Sequence, residues 1–293
     1  MNHVALIILT FNQREKTLKC LDSLYASTTS RPAIVVWDNG SEDETAVAIR
    51  QSHPQVLVHE SQSNLGVAGG RNAAAALAIQ TYNPAYLLFL DNDILVEPDF
   101  IEALYYPFTE NTRVGQTQAK LRFMHDPVRL NDGGGNTINF TLGQFLPVGF
   151  NEIDRGQYDT IKPCISCGGA MMVRRDVFEL LGGFDAIFNP FGPEDADFSL
   201  RLQKAGYSAL YVPQAIAYHE VSHTFGKGYS EEYARYKSRH WLTFMRRHAT
   251  PAQKLSFYAI GTPYLGVKVF IREARRGNLG AIRGILKGLF DKS

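Results

Sequence analysis

Four short apolar runs separated by helix-length stretches constrain this chain more than any other feature of its N-terminal third. Val4–Thr10 reads VALIILT, Ala33–Trp37 and Val56–His59 follow, and Tyr86–Leu90 (YLLFL) stops at Asp91. A run as nearly continuous in apolar residues as VALIILT suits a strand covered on both faces. Between the runs, Leu18, Leu21, Leu24 and Tyr25 fall on one helical face, a second helix is expected over about 43–51, and an alanine-rich third over 68–80. Strands alternating with helices predict an α/β protein with a parallel sheet. Ligands of such sheets bind beyond the carboxyl ends of the strands, which places Thr10–Asn12, Asp38–Ser41 and Asp91–Asp93 around one crevice.

The second half is less regular. Asn131–Asn136 (NDGGGN) reads as a flexible loop, followed by aromatic and polar residues to about Pro163. A strand is expected over 168–174, helices over 176–181 and 196–205, and two short strands, 209–212 and 215–218, on either side of Pro213. From Ser230 the pattern is helical and basic. The chain of 293 residues is long enough for one large domain with an appendage. Its net charge of +1 hides an asymmetry: from Ala234 onward 13 Lys/Arg face 2 Asp/Glu, a balance of +11, against −10 for the rest. Such a basic end points to an anionic partner.

Cys164 and Cys167 form a C-x-x-C, but no second cysteine pair or histidine pair completes a zinc set, and Cys20 lies far away in sequence. Free thiols of a reducing compartment are the expectation. Val4–Phe11 lacks the basic leader and cleavage site of a signal peptide. The charge-free run Leu255–Val267 is too short for a membrane span and contains Gly261 and Pro263. A cytoplasmic protein is expected, attached at most to a membrane surface, with no nucleic-acid partner.

Five segments carry possible chemistry. Asp91-Asn92-Asp93 sets two carboxylates one residue apart at a strand end, hard oxygen ligands suited to Mg²⁺ or Mn²⁺ with a diphosphate, though Asp and Asn also favour solvated turns. In Asp38-Asn39-Gly40-Ser41, Ser41 or Asp43 can cap the next helix, whereas Asp38 stands before the cap, where a carboxylate can accept from a pyrimidine N–H. Asn64 to Asn72 (NLGVAGGRN) brings glycines to a helix start. It is neither a P-loop nor a G-x-G-x-x-G, and a phosphate contact competes with a tight helix entry. Glu194, Asp195 and Asp197 open a helix, so dipole complementation competes with a general-base role for Asp195 behind the turns Asn189-Pro190 and Gly192-Pro193. His219 closes a strand and could complete a metal shell.

Together these segments resemble the family 2 glycosyltransferases of GT-A fold, particularly their bacterial rhamnosyltransferase-like branch. The matching pieces are Leu9-Thr10-Phe11-Asn12, Asp38-Asn39-Gly40-Ser41, Asn64-Leu65-Gly66 with Asn72, and Asp91-Asn92-Asp93. Gly168-Gly169-Ala170 with Arg174-Arg175 follows, then Gly182-Gly183-Phe184-Asp185, Glu194-Asp195-Ala196-Asp197, Arg201-Leu202, Gly206-Tyr207, and Val212-Pro213 through His219. Each is modest alone; their number, order and spacing are specific.

The resemblance implies a catalytic domain over 1–229, with a nucleotide-binding half to about 120 and an acceptor half beyond it, and a helical extension over 230–293. Donor contacts would come from Thr10, Asn12, Asp38, Asn64, Gly66, Asn72, Asp91 and Asn92, and metal contacts from Asp93, His219 and Asp91. Asp195 would be the base, with Gly168, Gly169 and Glu194 on the acceptor side. Arg71 receives no role, and acceptor choice falls to 121–163. The activity implied is inverting transfer from a UDP- or dTDP-sugar, dTDP-rhamnose included, to a saccharide or lipid-linked hydroxyl. An inactive sugar-nucleotide-binding scaffold is the alternative, and intact Asp93, Asp195 and His219 argue against it. In the extension, Val267, Phe270, Ile271 and Ala274 share one helical face, as do Leu279, Ile282, Leu286 and Leu289, with Gly277 and Gly280 dividing two helices. Their basic residues suit the inner face of an anionic membrane; packing on the catalytic domain or on a second copy in a homodimer is the competing expectation.

Overall fold

The structure, a computed structural model, describes residues 3–27, 32–166, 168–220 and 230–291. The N-terminal third forms β1 (Val4–Thr10), α1 (Arg14–Ser27), β2 (Ala33–Asp38), α2 (Thr45–Ser52), β3 (Leu57–Glu60), α3 (Gly66–Tyr82) and β4 (Tyr86–Asp91). These four strands are mutually parallel, and the register sets Leu9 beside Asp91 and Thr10 beside Asp38. The carboxyl ends of β1, β2 and β4 therefore lie side by side. Successive side chains alternate between the two faces: Leu6, Ile8 and Leu88 join one buried cluster with α1 residues, and Ala5, Ile7 and Phe89 join the other with α3 residues.

The chain continues through β5 (Ile94–Val96), α4 (Phe100–Glu110), β6 (Val114–Phe123), β7 (Leu130–Asp132), β8 (Asn136–Asn139), β9 (Gln144–Pro147), β10 (Lys162–Pro163), β11 (Ala170–Arg174), α5 (Arg175–Leu180), α6 (Glu194–Lys204) and β12 (Ser208–His219). The sheet is mixed, ordered β10-β12-β6-β11-β4-β1-β2-β3, with β11 antiparallel to both neighbours and β8–β9 a separate hairpin. Two local readings need correction, and one strand was not read at all. Strand β6 is not visible in the sequence pattern because Gln116, Thr117, Gln118 and Lys120 are polar, yet all four are buried. Partners remote in sequence satisfy them: Ser199 donates to Gln116 Oε1 at 2.7 Å, and Thr117 donates to the Leu104 carbonyl at 2.9 Å. Strand β12 runs straight through Pro213, since a register shift between Val212 and Ile216 absorbs the missing donor. Helix α2 begins at Thr45, after Glu44 with φ +61°, while the Asp43 carboxylate accepts from the Thr45 amide at 3.2 Å.

The C-terminal part comprises α7 (Glu231–His248), α8 (Pro251–Ser256), a π-helical turn Phe257–Gly261, α9 (Thr262–Arg275) and α10 (Leu279–Phe290). Gly277, at φ +67°, ends α9, and Asn278 caps α10 by accepting from the Ala281 amide at 3.2 Å. Asp197 of α6 anchors α7: fully buried, it takes Arg201 at 2.7 Å and Arg247 and His248 at 2.8 Å each. Helix α10 lies against α7 through glycines. A Cβ on Gly284 would come 2.0 Å from the Glu231 carbonyl, and one on Gly288 2.2 Å from that of Arg235. Glycines thus set the close approach to α7, Leu289 packs against the cluster that holds Leu242 and Met245 of α7, and Leu279, Leu286 and Phe290 stay exposed. Among the described residues no helix is long and apolar enough to cross a membrane.

Candidate active site

Asp91 closes β4, and Asp93 follows it into the crevice. Register brings the third member: β12 is long enough to pair with β5, setting His219 opposite Ile94, next to Asp93. One ligand atom from each of Asp91, Asp93 and His219 lies within 4.8 Å of the others. His219 Nε2 is 3.3 Å from Asp93 Oδ1, and its Nδ1 is 2.9 Å from Asn131 Oδ1. An amide oxygen only accepts, so Nδ1 carries a hydrogen and Nε2 faces the carboxylates. Burial opposes charging His219, but the hydrogen bond and charge of Asp93, aided by Asp91, outweigh it and raise its pKa. Asn131 was hidden in a stretch that reads only as a flexible loop.

Arg71 is the residue the sequence reading passed over. It is the only charged residue in α3, a helix built mainly of glycine and alanine, and it is buried. Its guanidinium donates to Asp91 Oδ1 at 2.7 Å and to Asp195 Oδ1 at 2.8 Å, with Glu194 Oε1 at 3.4 Å. One side chain therefore ties the end of β4 to the start of α6. Burial raises the pKa of both acids; for Glu194 the neighbouring Asp195 charge adds to it, and the group is pushed up to about 8. For Asp195 the Arg71 charge is the chief opposing influence. Gly168 makes room for Asp195: with φ +79°, a Cβ there would sit 2.1 Å from Asp195 Oδ2. Gly169, at φ +76°, passes beside Asp91, Ile94 and Leu121.

The remaining singled-out residues surround the other rim and largely hold one another. Asn92 donates to Thr10 and Thr17 at 3.1 and 3.0 Å. Asn12 accepts from the Glu42 amide, and Asp38 Oδ1 from the Ser41 amide at 2.9 Å. Asn64 accepts from Asn39 and from the Gly66 amide, and a Cβ on Gly66 would collide with Asn189 at 2.6 Å. Asn72 makes two bonds to the Phe184 backbone, at 2.7 and 2.9 Å. Cys20 and Cys164 are buried free thiols, and Cys167 lies outside the described residues.

Comparison with known proteins bears on this geometry directly. A family model described as "Glycosyl transferase family 2" matches residues 5–182. The chain belongs to glycosyl transferase family 2. A second model, "N-terminal domain of galactosyltransferase", matches residues 158–225, the stretch that holds Gly168, Asp195 and His219. This family 2 glycosyltransferase is 25% identical over 263 residues to the N-acetylglucosaminyl-diphospho-decaprenol L-rhamnosyltransferase of Mycobacterium tuberculosis, covering 83% of this chain and 84% of that one. It is 25% identical over 235 residues to the O-antigen chain rhamnosyltransferase RfbN of Salmonella typhimurium, covering 80% and 70%. Among solved structures it is similar to a Pyrobaculum calidifontis mannosyltransferase in complex with GDP-Man and Mn²⁺ (TM-score 0.59, 18% identity, 99% of this chain and 88% of that one). It is also similar to GalNAc-T7 with UDP, GalNAc and Mn²⁺ (TM-score 0.61, 16% identity, 85% and 52%). These likenesses establish the GT-A fold, and the relatives establish the rhamnosyltransferase-like branch.

Proposed function

We propose that this family 2 glycosyltransferase is an inverting enzyme that requires Mn²⁺ or Mg²⁺. Its donor is a UDP- or dTDP-sugar, with dTDP-rhamnose the first to test, and its acceptor a saccharide hydroxyl on a lipid carrier. The rhamnosyltransferases among its relatives, one of them named for a diphospho-decaprenol acceptor, support the donor and acceptor classes. The observation that carries the reading is the single guanidinium of Arg71 holding Asp195 and Asp91 together beside the Asp93–His219 pair.

Two carboxylates and an imidazole with its tautomer set by Asn131 fit a divalent cation of borderline hardness, so Asp91, Asp93 and His219 are the residues that would hold it. When bound, such a cation offsets the negative charge gathering on the leaving diphosphate. The protein supplies the rest. Burial and the neighbouring Asp195 charge push Glu194 up, while Arg71 makes its shortest bonds to Asp91 and Asp195. Burial makes Asp195 a stronger base than an exposed carboxylate, and Arg71 fixes its aim. Asp195 takes the acceptor proton while the oxygen attacks the anomeric carbon from the face opposite the leaving group. One carboxylate suffices, and the anomeric configuration inverts.

On the donor side, Asp38 accepts from the pyrimidine ring. Thr10, Asn12, Asn64, Gly66, Asn72 and Asn92 shape the nucleotide pocket through the bonds that lock its loops. Gly168, Gly169 and Glu194 face the acceptor. The chain works as a catalytic unit, 1–229, joined through α7 to a helical extension, 230–293. The extension's exposed Val267, Ile271, Leu279 and Phe290, interleaved with Lys and Arg, rest on an anionic membrane at its cytoplasmic face. The deciding experiment is turnover of nucleotide sugars with EDTA and with Mn²⁺ or Mg²⁺ restored, with the product anomer read by NMR. Full activity in EDTA, or retained configuration, refutes the reading.

A further inference from the structure

A cavity of about 980 Å³ begins at Asp91, Asp195 and His219 and continues between the acceptor half and the C-terminal helices. Its far wall is apolar: Trp241 of α7, Leu265 and Val269 of α9, and Ile282, Leu286 and Leu289 of α10. Phe145, Leu146 and Phe150 face them from the acceptor half. Lys237, Lys268 and Arg272 line the same space. Thr10, Asn12, Asp38, Asn64 and Asn72 do not, so the cavity is separate from the donor rim. His240 also borders it. With Nδ1 bound to the Phe191 carbonyl at 2.8 Å, its buried Nε2 is an acceptor with no partner among the described residues.

We infer that this cavity takes the apolar chain of a phosphorylated acceptor, so that C-terminal helices and catalytic residues bind one molecule. The inference rests on the reading of Asp195 as the base: whatever fills the cavity must offer a hydroxyl at its Asp195 end. A free saccharide suits only that polar end, because polar groups placed among Trp241, Leu265, Val269 and Ile282 would lose water without gaining partners. A chain of methylene groups gains from the same surroundings. Lys237 and Lys268 along the lining complement a phosphate or diphosphate between chain and sugar, while Arg272 beside them is already ion-paired with buried Glu273. Helix α10 reaches this position because Gly284 and Gly288 seat it on α7, leaving Ile282 and Leu286 to line the space.

The protein carries its own reporter. Of its two tryptophans, Trp241 lines the cavity, whereas Trp37 stacks on His59 at 4.1 Å in the nucleotide half. The full chain with Trp37→Phe is titrated with hexyl, octyl, decyl and dodecyl diphosphate below their micelle-forming concentrations. Trp241 emission is followed, and inorganic diphosphate serves as the chainless reference. Dissociation constants should fall about fourfold per added methylene until the cavity is filled, with a blue shift of Trp241. Ile282→Glu should flatten that dependence. Leu286→Glu should do so as well, and because Leu286 is already 52% exposed its substitution leaves folding intact. Affinity independent of chain length overturns the inference, as does a chain-length dependence that survives both substitutions. Loss of transfer with Asp195→Asn is a separate measurement. A base assignment that fails there, with chain binding intact, is distinguishable from failure of the cavity.

Discussion

Around the donor rim, Asn12, Asp38 and Asn64 accept from backbone amides and Asn72 bonds the Phe184 backbone, whereas on the acceptor side Asp91, Glu194 and Asp195 crowd round one buried guanidinium. The first arrangement spreads its polar groups over several loops, each tied to a backbone partner, so it shapes those loops before any ligand binds. The second concentrates charge in a poorly solvated place, where Arg71 is the cation that offsets the mutual repulsion of the acids among the described residues. Substitutions on the two sides should therefore fail differently: the rim through stability, the guanidinium cluster through turnover.

The largest expected effect is on turnover. Asp195→Asn keeps shape but cannot take a proton, so kcat should drop roughly 10²–10⁴-fold with donor affinity nearly unchanged. Gly168→Ala should do comparable damage by displacing the carboxylate 2.1 Å from the added Cβ. Gly182→Ala has a similar φ of +71° but nothing within 4 Å, and should cost only about 1 kcal/mol of stability. Equal effects of the two alanines on kcat would remove the steric link between Gly168 and Asp195. Asp93→Ala should abolish most activity with the fold retained, and added Mn²⁺ should not restore it.

Two residues beyond Asp195, Asp197 has the opposite environment. Burial disfavours its charge, but hydrogen bonds from His248, Arg201 and Arg247 prevail and bring its pKa to about 2. A carboxylate lowered on folding adds stability that is complete above its unfolded value of about 3.9 and lost as pH falls toward 2. Asp197→Ala should cost about 3–5 kcal/mol in denaturant unfolding at pH 7, since it removes the buried charge that Arg201, Arg247 and His248 share, and much less at pH 2. A comparable loss at both pH values would show the anchor of α7 to be packing rather than charge.

A smaller effect is expected on the rim. Asn72→Ala should destabilise by about 1–3 kcal/mol through the unpaired Phe184 backbone, with donor KM shifted only slightly. A tenfold rise in KM at unchanged stability would make Asn72 a direct donor contact and break the contrast between the two sides. Smallest is the effect of one surface cation: Arg283→Gln should weaken co-sedimentation with anionic vesicles about fivefold, and salt should weaken the unmodified protein too. Vesicle binding indifferent to salt and to lipid charge would leave the exposed apolar face without its membrane.

The sequence by itself determined the α/β class, the four parallel strands and the crevice at their carboxyl ends, because an apolar run followed by a strand-ending Asp is a pattern among near neighbours. It also brought out Asp93, Asp195, Gly168 and His219, each sitting in a recognisable local motif. Only the tertiary structure decided the rest. Arg71 is ordinary in sequence, and its importance lies in carboxylates 20 and 124 residues away. Strand β6 left no apolar pattern to read, because its buried Gln116 and Thr117 are satisfied by partners from α6 and α4. The apolar stripe of α10 left a membrane face and a packing face both open; in the structure glycines permit the close approach to α7, Leu289 packs beside Leu242 and Met245, and Leu279 and Leu286 stay exposed. Periodicity records which residues share a face; which face meets which neighbour is set by contacts between parts of the chain that have no proximity in sequence.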